Sequence, residues 1–287
     1  MAAATGRCPN SHLSYHRGVL RRRRWFRIAL WPVVGYVALL GILMAFEDRL
    51  IYFPVRGGRV LGAGEDVTLR SADGVRLHAR YVARDPAAPT LLYLHGNAGN
   101  LAGRSELLEY FSGLGANLLA LEYRGYGQSE GVPSEAGLYA DARAAHAWLR
   151  ERTPAARIVV MGESLGGGPA CELAASEPIG GLILVATFTS VPAMAAHYYP
   201  WLPTRWIVRT RFDNLSKIAR VRVPKLFVHS RMDEVIPFEM GQRLFAAASE
   251  PKQALWLERS SHNALFLVEE PALGAAIKDF LQRLAAN

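Results

Sequence analysis

The stretch RIVVMGESLGGGPACELA, Arg157 to Ala174, decides how the rest of the chain is read. It opens on a short apolar run rich in β-branched residues, passes through glycines, and closes on a helical pattern. Ser164 stands at the apex, with Gly162 and Gly166 two positions to either side. Without side chains at those two positions the backbone can turn sharply from strand to helix and present the serine hydroxyl. One strand feeding one helix through a tight turn is half of a βαβ crossover, so the surrounding sequence should hold a mainly parallel sheet.

Working outward, short apolar runs bounded by turn residues recur: TLLYL (90 to 94), NLLALEY (117 to 123), RIVVM (157 to 161), GLILVATF (181 to 188), KLFVHS (225 to 230) and ALWLE (254 to 258). Helical patterns separate them, among them GLYADARAAHAWLRERT, LGGGPACELAAS, FEMGQRLFAAAS and the closing PALGAAIKDFLQRLAA. Before the first run, VTLRSADGVRLHARYV reads as two alternating strands around Asp73-Gly74, a hairpin signal. The expectation is an α/β fold with a mainly parallel eight-stranded sheet flanked by helices and entered through an antiparallel hairpin.

In such sheets the chemistry gathers at the carboxyl ends of the strands. Five polar clusters follow strands here: HGNAGN (95 to 100), EYRGYGQSEG (122 to 131), GESLG (162 to 166), HSRMDEVIP (229 to 237) and RSSHN (259 to 263). A serine hydroxyl attacks only when a base takes its proton, and the base needs a partner that fixes its tautomer and steadies the imidazolium. Following a glycine-flanked serine, the acid and then the histidine are expected in later strand-end loops. Asp233 and His262 meet that order. Asp213, in the segment after the sixth strand, Asp279, in the last helix, and Glu234, beside Asp233, are weaker candidates for the acid. Of the other histidines, His95 precedes Ser164 and shapes its own loop, His229 ends a strand, and His197 lies in an insertion. The main-chain N–H of Leu165, at the helix start, and of Asn97, just after His95-Gly96, are the natural donors to an oxyanion.

The first 46 residues differ in character from the rest. Arg7, Arg17, Arg21, Arg22, Arg23, Arg24 and Arg27 account for all but one unit of the net charge of +8, and no Asp or Glu lies among them. The large domain is therefore nearly neutral and lacks the basic face of a nucleic-acid binder. Ile28 to Phe46 is a run of 19 residues without a carboxylate or a basic side chain. As a helix it is about 28 Å long, matching the roughly 30 Å hydrocarbon core of a bilayer. The arginines before it, with Glu47 and Asp48 after it, predict a cytoplasmic N-terminus and a large domain on the other side, periplasm or lumen. Cys8 and Cys171 then fall on opposite sides and cannot pair within one chain; Cys171 reads as a small buried hydrophobe.

Taken in order, HGNAGN, EYRGYGQSEG, GESLGG, HSRMDEVIP and SHN resemble the α/β-hydrolase fold. With an N-terminal apolar run followed by EDRLIYFP, they resemble specifically its membrane-anchored ABHD-type subgroup, from about Ala45 to the end. The resemblance implies Ser164, Asp233 and His262 as a catalytic triad, with Asn97 and Leu165 as the oxyanion hole. One departure is His229-Ser230, where relatives usually have His-Gly. The domain plan is a basic tail (1 to 27), a transmembrane anchor (28 to 46) and a hydrolase domain (47 to 287) with a short cap at about 189 to 221. In the cap, Tyr198, Tyr199, Trp201, Trp206 and Phe212 are candidates to line an acyl pocket or meet lipid. The expected activity is that of a membrane-anchored serine hydrolase acting on the carboxylic ester or thioester of a small-molecule acyl or lipid substrate. A peptidase or amidase of the same fold and a non-catalytic anchored binding module are the alternatives. No metal-ligand spacing or phosphate-binding motif occurs, so no cofactor or metal is expected.

Overall fold

A computed structural model describes residues 30–285. The basic tail with Cys8, and Ile28 and Ala29 of the apolar run, lie outside the described residues. The described chain falls into two compact units that part between Glu47 and Asp48. In the first, residues 30–45 are helical, with Trp31, Val37 and Ile42 exposed. Among the described residues no helix is long and apolar enough to cross a membrane. The anchor expected at residues 28 to 46 begins outside the described residues.

The second unit carries an eight-stranded sheet: β1 Glu65–Arg70, β2 Arg76–Val82, β3 Thr90–Leu94, β4 Asn117–Leu121, β5 Ile158–Glu163, β6 Gly181–Val185, β7 Lys225–Ser230 and β8 Lys252–Leu257. Their spatial order is β1-β2-β4-β3-β5-β6-β7-β8. Only β2 runs antiparallel to its neighbours; every other pair is parallel. The expected hairpin forms β1 and β2, with Arg70 opposite Arg76 and Gly74 turning at φ +83°. Two strands are shorter than their apolar runs. β4 stops at Leu121, where the chain leaves the ladder, and β6 stops at Val185, because Ala186 adopts φ +46° and turns the chain away.

The pleat explains why the strands read as unbroken apolar runs. Successive side chains point to opposite faces, and both faces are covered. Leu92, Leu94, Val160, Leu182 and Phe227 join one core, with Leu138 and Ala142 of α2 (Glu135–Arg150), Cys171 of α3 (Gly167–Ser176) and Leu244 of α4 (Phe238–Ala247). Leu91, Tyr93, Val159, Ile183 and Val228 join the other, with Phe111 of α1 (Ser105–Ser112) and Ile277 and Phe280 of α5 (Glu270–Ala285). Cys171 is buried in its core, and desolvation pushes its thiol up to about 12, so it packs as an inert apolar group. The strand order reverses around β3, which lies between β4 and β5. The loops leaving β3 and β5 therefore lie at the topological switch point of the sheet, the place where sheets of this kind carry their ligands.

Residues 189 to 221 are inserted between β6 and β7 and hold three short helices, Val191–Tyr198, Thr204–Ile207 and Asn214–Ile218. Phe212 is not a lining residue of this cap. It is fully buried, with φ +36°, against Gly168 and edge-on to Tyr139. A side chain at Gly168 would collide with its ring, which explains that glycine.

Candidate active site

Ser164 opens the turn after β5 with φ +51°, a left-handed conformation that a residue with a side chain adopts at a cost of about 1 kcal/mol or more. Its neighbours make the turn possible by having no Cβ. A Cβ at Gly162 would lie 2.5 Å from the Gly166 carbonyl oxygen, and one at Gly166 would run into the Leu94 carbonyl at the end of β3. The turn is also fixed from the β6 side, where Thr187 Oγ1 donates to the Ser164 carbonyl oxygen at 2.7 Å. Thr187 carries no motif signal; only the turn at Ala186 brings it there.

The loop after β7 supplies Asp233 and the loop after β8 supplies His262. His262 Nε2 stands 3.1 Å from Ser164 Oγ, and its Nδ1 stands 2.8 Å from Asp233 Oδ2. The other Asp233 oxygen accepts the N–H groups of Val235 at 2.9 Å and Ile236 at 2.7 Å. Burial would raise this carboxyl, yet the hydrogen bonds from His229, His262 and Ile236 outweigh it and hold it far below the usual carboxylate range. An ionised Asp233 accepts at Nδ1–H, which leaves Nε2 unprotonated and facing the serine.

The other candidate acids are engaged elsewhere. The Glu234 carboxylate accepts the main-chain N–H of His262 at 3.0 Å and so holds the backbone of that loop, not the imidazole. Asp213 caps the helix Asn214–Ile218 through Ser216 N–H, and Asp279 pairs with Arg283 on the surface. His146 Nε2 is 3.0 Å from the Pro178 carbonyl oxygen.

Two serines, Ser230 and Ser260, organise the histidine loop. Ser230 Oγ donates to the Ser260 carbonyl and accepts Met232 N–H, tying the aspartate loop to the histidine loop. The serine that departs from the His-Gly pattern is therefore a bridge. Ser260 Oγ in turn donates to Glu269 Oε2 at 2.8 Å. Burial would raise Glu269, but this hydroxyl and the N–H groups of Glu258, Arg259 and Ser260 hold it below its ordinary value.

The loop HGNAGN runs beside the serine turn. A Cβ at Gly96 would lie 3.4 Å from Ser164 Cβ, an ordinary contact, which places the two loops side by side. The Asn97 side chain is already committed: its Oδ1 accepts Phe53 N–H at 3.2 Å and the Tyr126 hydroxyl at 3.1 Å. Arg104 donates to the carbonyl oxygens of Ala98 and Asn100, at 2.7 and 3.0 Å. Leu165 is buried at the start of the following helical turn.

Behind this loop lies a buried cluster. His95 donates from Nδ1 to the Gly96 carbonyl oxygen at 2.7 Å, and its Nε2, without a hydrogen-bond partner, faces Glu122 Oε1 at 3.6 Å. Desolvation drops the imidazole to about 3, so His95 is neutral. Glu122 accepts Leu101 N–H, and burial pushes its carboxyl up to about 7.

Of the four cap aromatics, Tyr198 donates to the carbonyl oxygens of Glu234 and Val235 in the aspartate loop. Tyr199 and Trp201 are exposed and meet edge-on, and Trp206 is 80 % exposed. An indole that open lines no enclosed pocket in this conformation.

With this geometry established, comparison places the chain among known proteins. Residues 89–208 match the family model described as alpha/beta hydrolase fold. The chain is 39% identical to an uncharacterized protein of Mycobacterium tuberculosis, over 88% of this chain and 95% of the other. It is 36% identical to the alpha/beta hydrolase domain-containing protein WAV2 of Arabidopsis thaliana, over 77% and 82%. Human alpha/beta hydrolase domain-containing protein 17B is 34% identical, over 68% and 67%. Among solved structures, the Pyrococcus furiosus esterase Pf2001 superposes with a TM-score of 0.66 at 19% identity, covering 82% of this chain and 99% of that one.

Proposed function

The chain belongs to the alpha/beta hydrolase fold family, and from that premise we propose that it is a serine hydrolase that cleaves carboxylic ester or thioester bonds. The observation that carries the reading is the unbroken line Asp233 Oδ2, His262 Nδ1, His262 Nε2, Ser164 Oγ, at 2.8 and 3.1 Å, ending on a serine held at positive φ.

In this reading Ser164 Oγ attacks the acyl carbon while His262 Nε2 takes its proton, and Asp233 stabilises the imidazolium that forms. The carbonyl oxygen becomes an oxyanion and receives the main-chain N–H groups of Asn97 and Leu165. As the tetrahedral intermediate collapses, His262 returns the proton to the leaving alcohol or thiol, and the acyl group stays on Ser164. Water, deprotonated by the same imidazole, then attacks the acyl-enzyme and releases the acid.

We extend the proposal to location and substrate. The apolar run Ile28–Phe46 with its preceding arginines supports a membrane anchor, an inward N-terminus and an outward catalytic unit. Open aromatic residues on the cap, Tyr199, Trp201 and Trp206, support a lipid-like acyl substrate. The test is labelling of the full-length protein by a fluorophosphonate probe. Labelling that disappears in Ser164→Ala is expected; no labelling, or labelling unchanged in that variant, overturns the reading.

A further inference from the structure

Between the first unit and β1 along the chain, the segment Tyr52–Gly57, which begins in the phrase EDRLIYFP, is strapped across the loop that carries Asn97. Phe53 and Pro54 pair in parallel with Ala98 and Gly99 as a separate two-stranded sheet. Val55 N–H donates to the Gly99 carbonyl oxygen at 3.1 Å, and the Val55 carbonyl accepts Gly127 N–H at 2.8 Å. Gly57 N–H reaches the Gly127 carbonyl at 2.7 Å. Asn100 Nδ2 donates to the carbonyls of Val55 and Gly57, at 3.2 and 2.9 Å. At the strap's start, Tyr52 is sunk in the same core as Tyr126 and Phe212.

These contacts make the strap a fixed part of the catalytic unit. One of them bears directly on the chemistry. Phe53 N–H is not spent on the ladder; it donates to Asn97 Oδ1, the oxygen that also takes the Tyr126 hydroxyl. Two donors from different segments thus converge on one side-chain oxygen of Asn97. A side chain pinned at its tip limits rotation about the Cα that carries it, and with it the direction of the adjoining peptide N–H.

We propose that the strap is a positioning element of the acyl-transfer site: Phe53, through its main-chain N–H, aims the N–H of Asn97 at the oxyanion. The inference rests on the reading of Asn97 N–H as an oxyanion donor. The Phe53 side chain is exposed and takes no part in it. Loss of a whole oxyanion donor costs roughly 10² to 10³ in turnover. Misdirecting one that remains present should cost about 10-fold to 100-fold.

The experiment compares Phe53→Pro with Phe53→Ala in the full-length chain. Proline removes the donor at a position whose N–H leaves the ladder unaffected, and proline is tolerated at the start of an edge strand; alanine keeps the donor and removes only the exposed ring. Three quantities are read on a p-nitrophenyl acyl ester and a trifluoromethyl ketone that adds to the serine: kcat, KM and the affinity for the ketone. The expected result is a fall of about 10-fold to 100-fold in both kcat and ketone affinity for Phe53→Pro, with KM within about 2-fold, and Phe53→Ala within about 2-fold of the parent throughout. Should Phe53→Pro fail to fold, Tyr126→Phe, which withdraws the second donor to Asn97 Oδ1, takes its place with the same expected split. An unchanged kcat, equal losses in the proline and alanine variants, or a loss in KM alone overturns the positioning role. A parent protein that neither turns over nor is labelled by fluorophosphonate overturns the hydrolase reading, so the two failures are separable.

Discussion

His229 Nε2 lies 3.3 Å from Oδ2 of Asp233, the same oxygen that meets His262 Nδ1 at 2.8 Å, and 3.0 Å from the Ile236 carbonyl oxygen. Both neighbours of that nitrogen are acceptors, so it carries the proton, and one N–H is shared between the loop backbone and the carboxylate. The imidazole is buried and packed against Gly241, where any Cβ would strike it. His229→Leu should let the Asp233 carboxyl rise and loosen the 233–236 turn, lowering kcat/KM about 10-fold. His229→Gln, which keeps an N–H donor, should recover part of the loss. Equal activity in parent and leucine variant would show that the aspartate needs no support from β7.

The pH profile follows from the same carboxylate. Asp233 is held ionised far below the ordinary carboxylate range, and His262 is the one base the mechanism requires. A group with a depressed folded pKa keeps its stabilising effect at every pH above its ordinary value, and loses it only as pH falls through the depressed one. The acid limb of kcat/KM above about pH 4 should therefore carry no step from Asp233. Asp233→Asn should lower kcat about 10⁴-fold, since an amide favours the wrong tautomer. A second-order acid limb measured on the intact protein would contradict this.

Most of the sheet could be read from the sequence because the two faces of β3, β5, β6 and β7 are both buried, leaving continuous apolar runs between turn residues. Ser164, Asp233 and His262 were legible for a different reason: each follows a strand, and strand ends in a parallel sheet share an edge. What escaped reading depends on contacts between distant segments. Thr187 reaches the serine turn only because Ala186 takes φ +46°, and Ser230 reaches Ser260 across two loops. The strap at Phe53 pairs through its main chain with Ala98 and Gly99, 45 positions on, a contact no local side-chain periodicity encodes. Phe212 looked like its cap neighbours in composition and differs from them only in being folded under α3.

Glycines in the site segments separate by what a methyl group would meet. At Gly166 a Cβ would collide with main-chain atoms of Leu94 and His95, which cannot yield without moving β3. At Gly103 it would find only the Asn100 side-chain oxygen, at an ordinary 3.6 Å, and the backbone is not left-handed. Gly166→Ala should cost about 3 kcal/mol or more of stability, in the range of severe overpacking, and abolish labelling by fluorophosphonate. Gly103→Ala should be neutral or stabilising by about 0.5 kcal/mol, through the lost entropy of the unfolded chain. Thermal unfolding of the two variants checks both.

Glu122 provides the clearest pH dependence of stability. Its carboxyl is pushed up to about 7 by burial, above the ordinary 4.5, so the folded state binds the proton more tightly than the unfolded state. Stability from this group is full below the ordinary pKa and is lost as pH rises through about 7, the reverse of the Asp233 case. The shift from 4.5 to about 7 corresponds to up to about 3 kcal/mol. Glu122→Gln keeps an acceptor for Leu101 N–H and a donor toward His95 Nε2, and has no charge to bury. It should unfold near the parent at pH 4.5 and at a clearly higher temperature at pH 8; a gap that stays constant across that range would refute the titration.

Arg124 holds the loop after β4 through a fork of bonds. Its guanidinium donates to Asp141 Oδ1 at 2.7 Å from Nη2 and 2.9 Å from Nε, and to Asp73 Oδ2 at 2.7 Å from Nη1. Asp141 is fully buried on α2, and burial raises its carboxyl even against the arginine. Removing one partner of such a pair strands a charge in the core, at about 3 to 5 kcal/mol. Replacing both with apolar groups of similar volume is close to neutral, because the attraction in the pair only offsets the cost of its own desolvation. Arg124→Met should therefore destabilise strongly, and Arg124→Met with Asp141→Leu should regain part of the loss, since the main-chain N–H of residue 124, which donates to Asp141 Oδ2 at 2.8 Å, then lacks its acceptor. Denaturant unfolding of the two single variants and the double variant decides it: a double variant no more stable than Arg124→Met would mean that the fork shapes the turn from Tyr123 to Gly131 instead of merely neutralising Asp141.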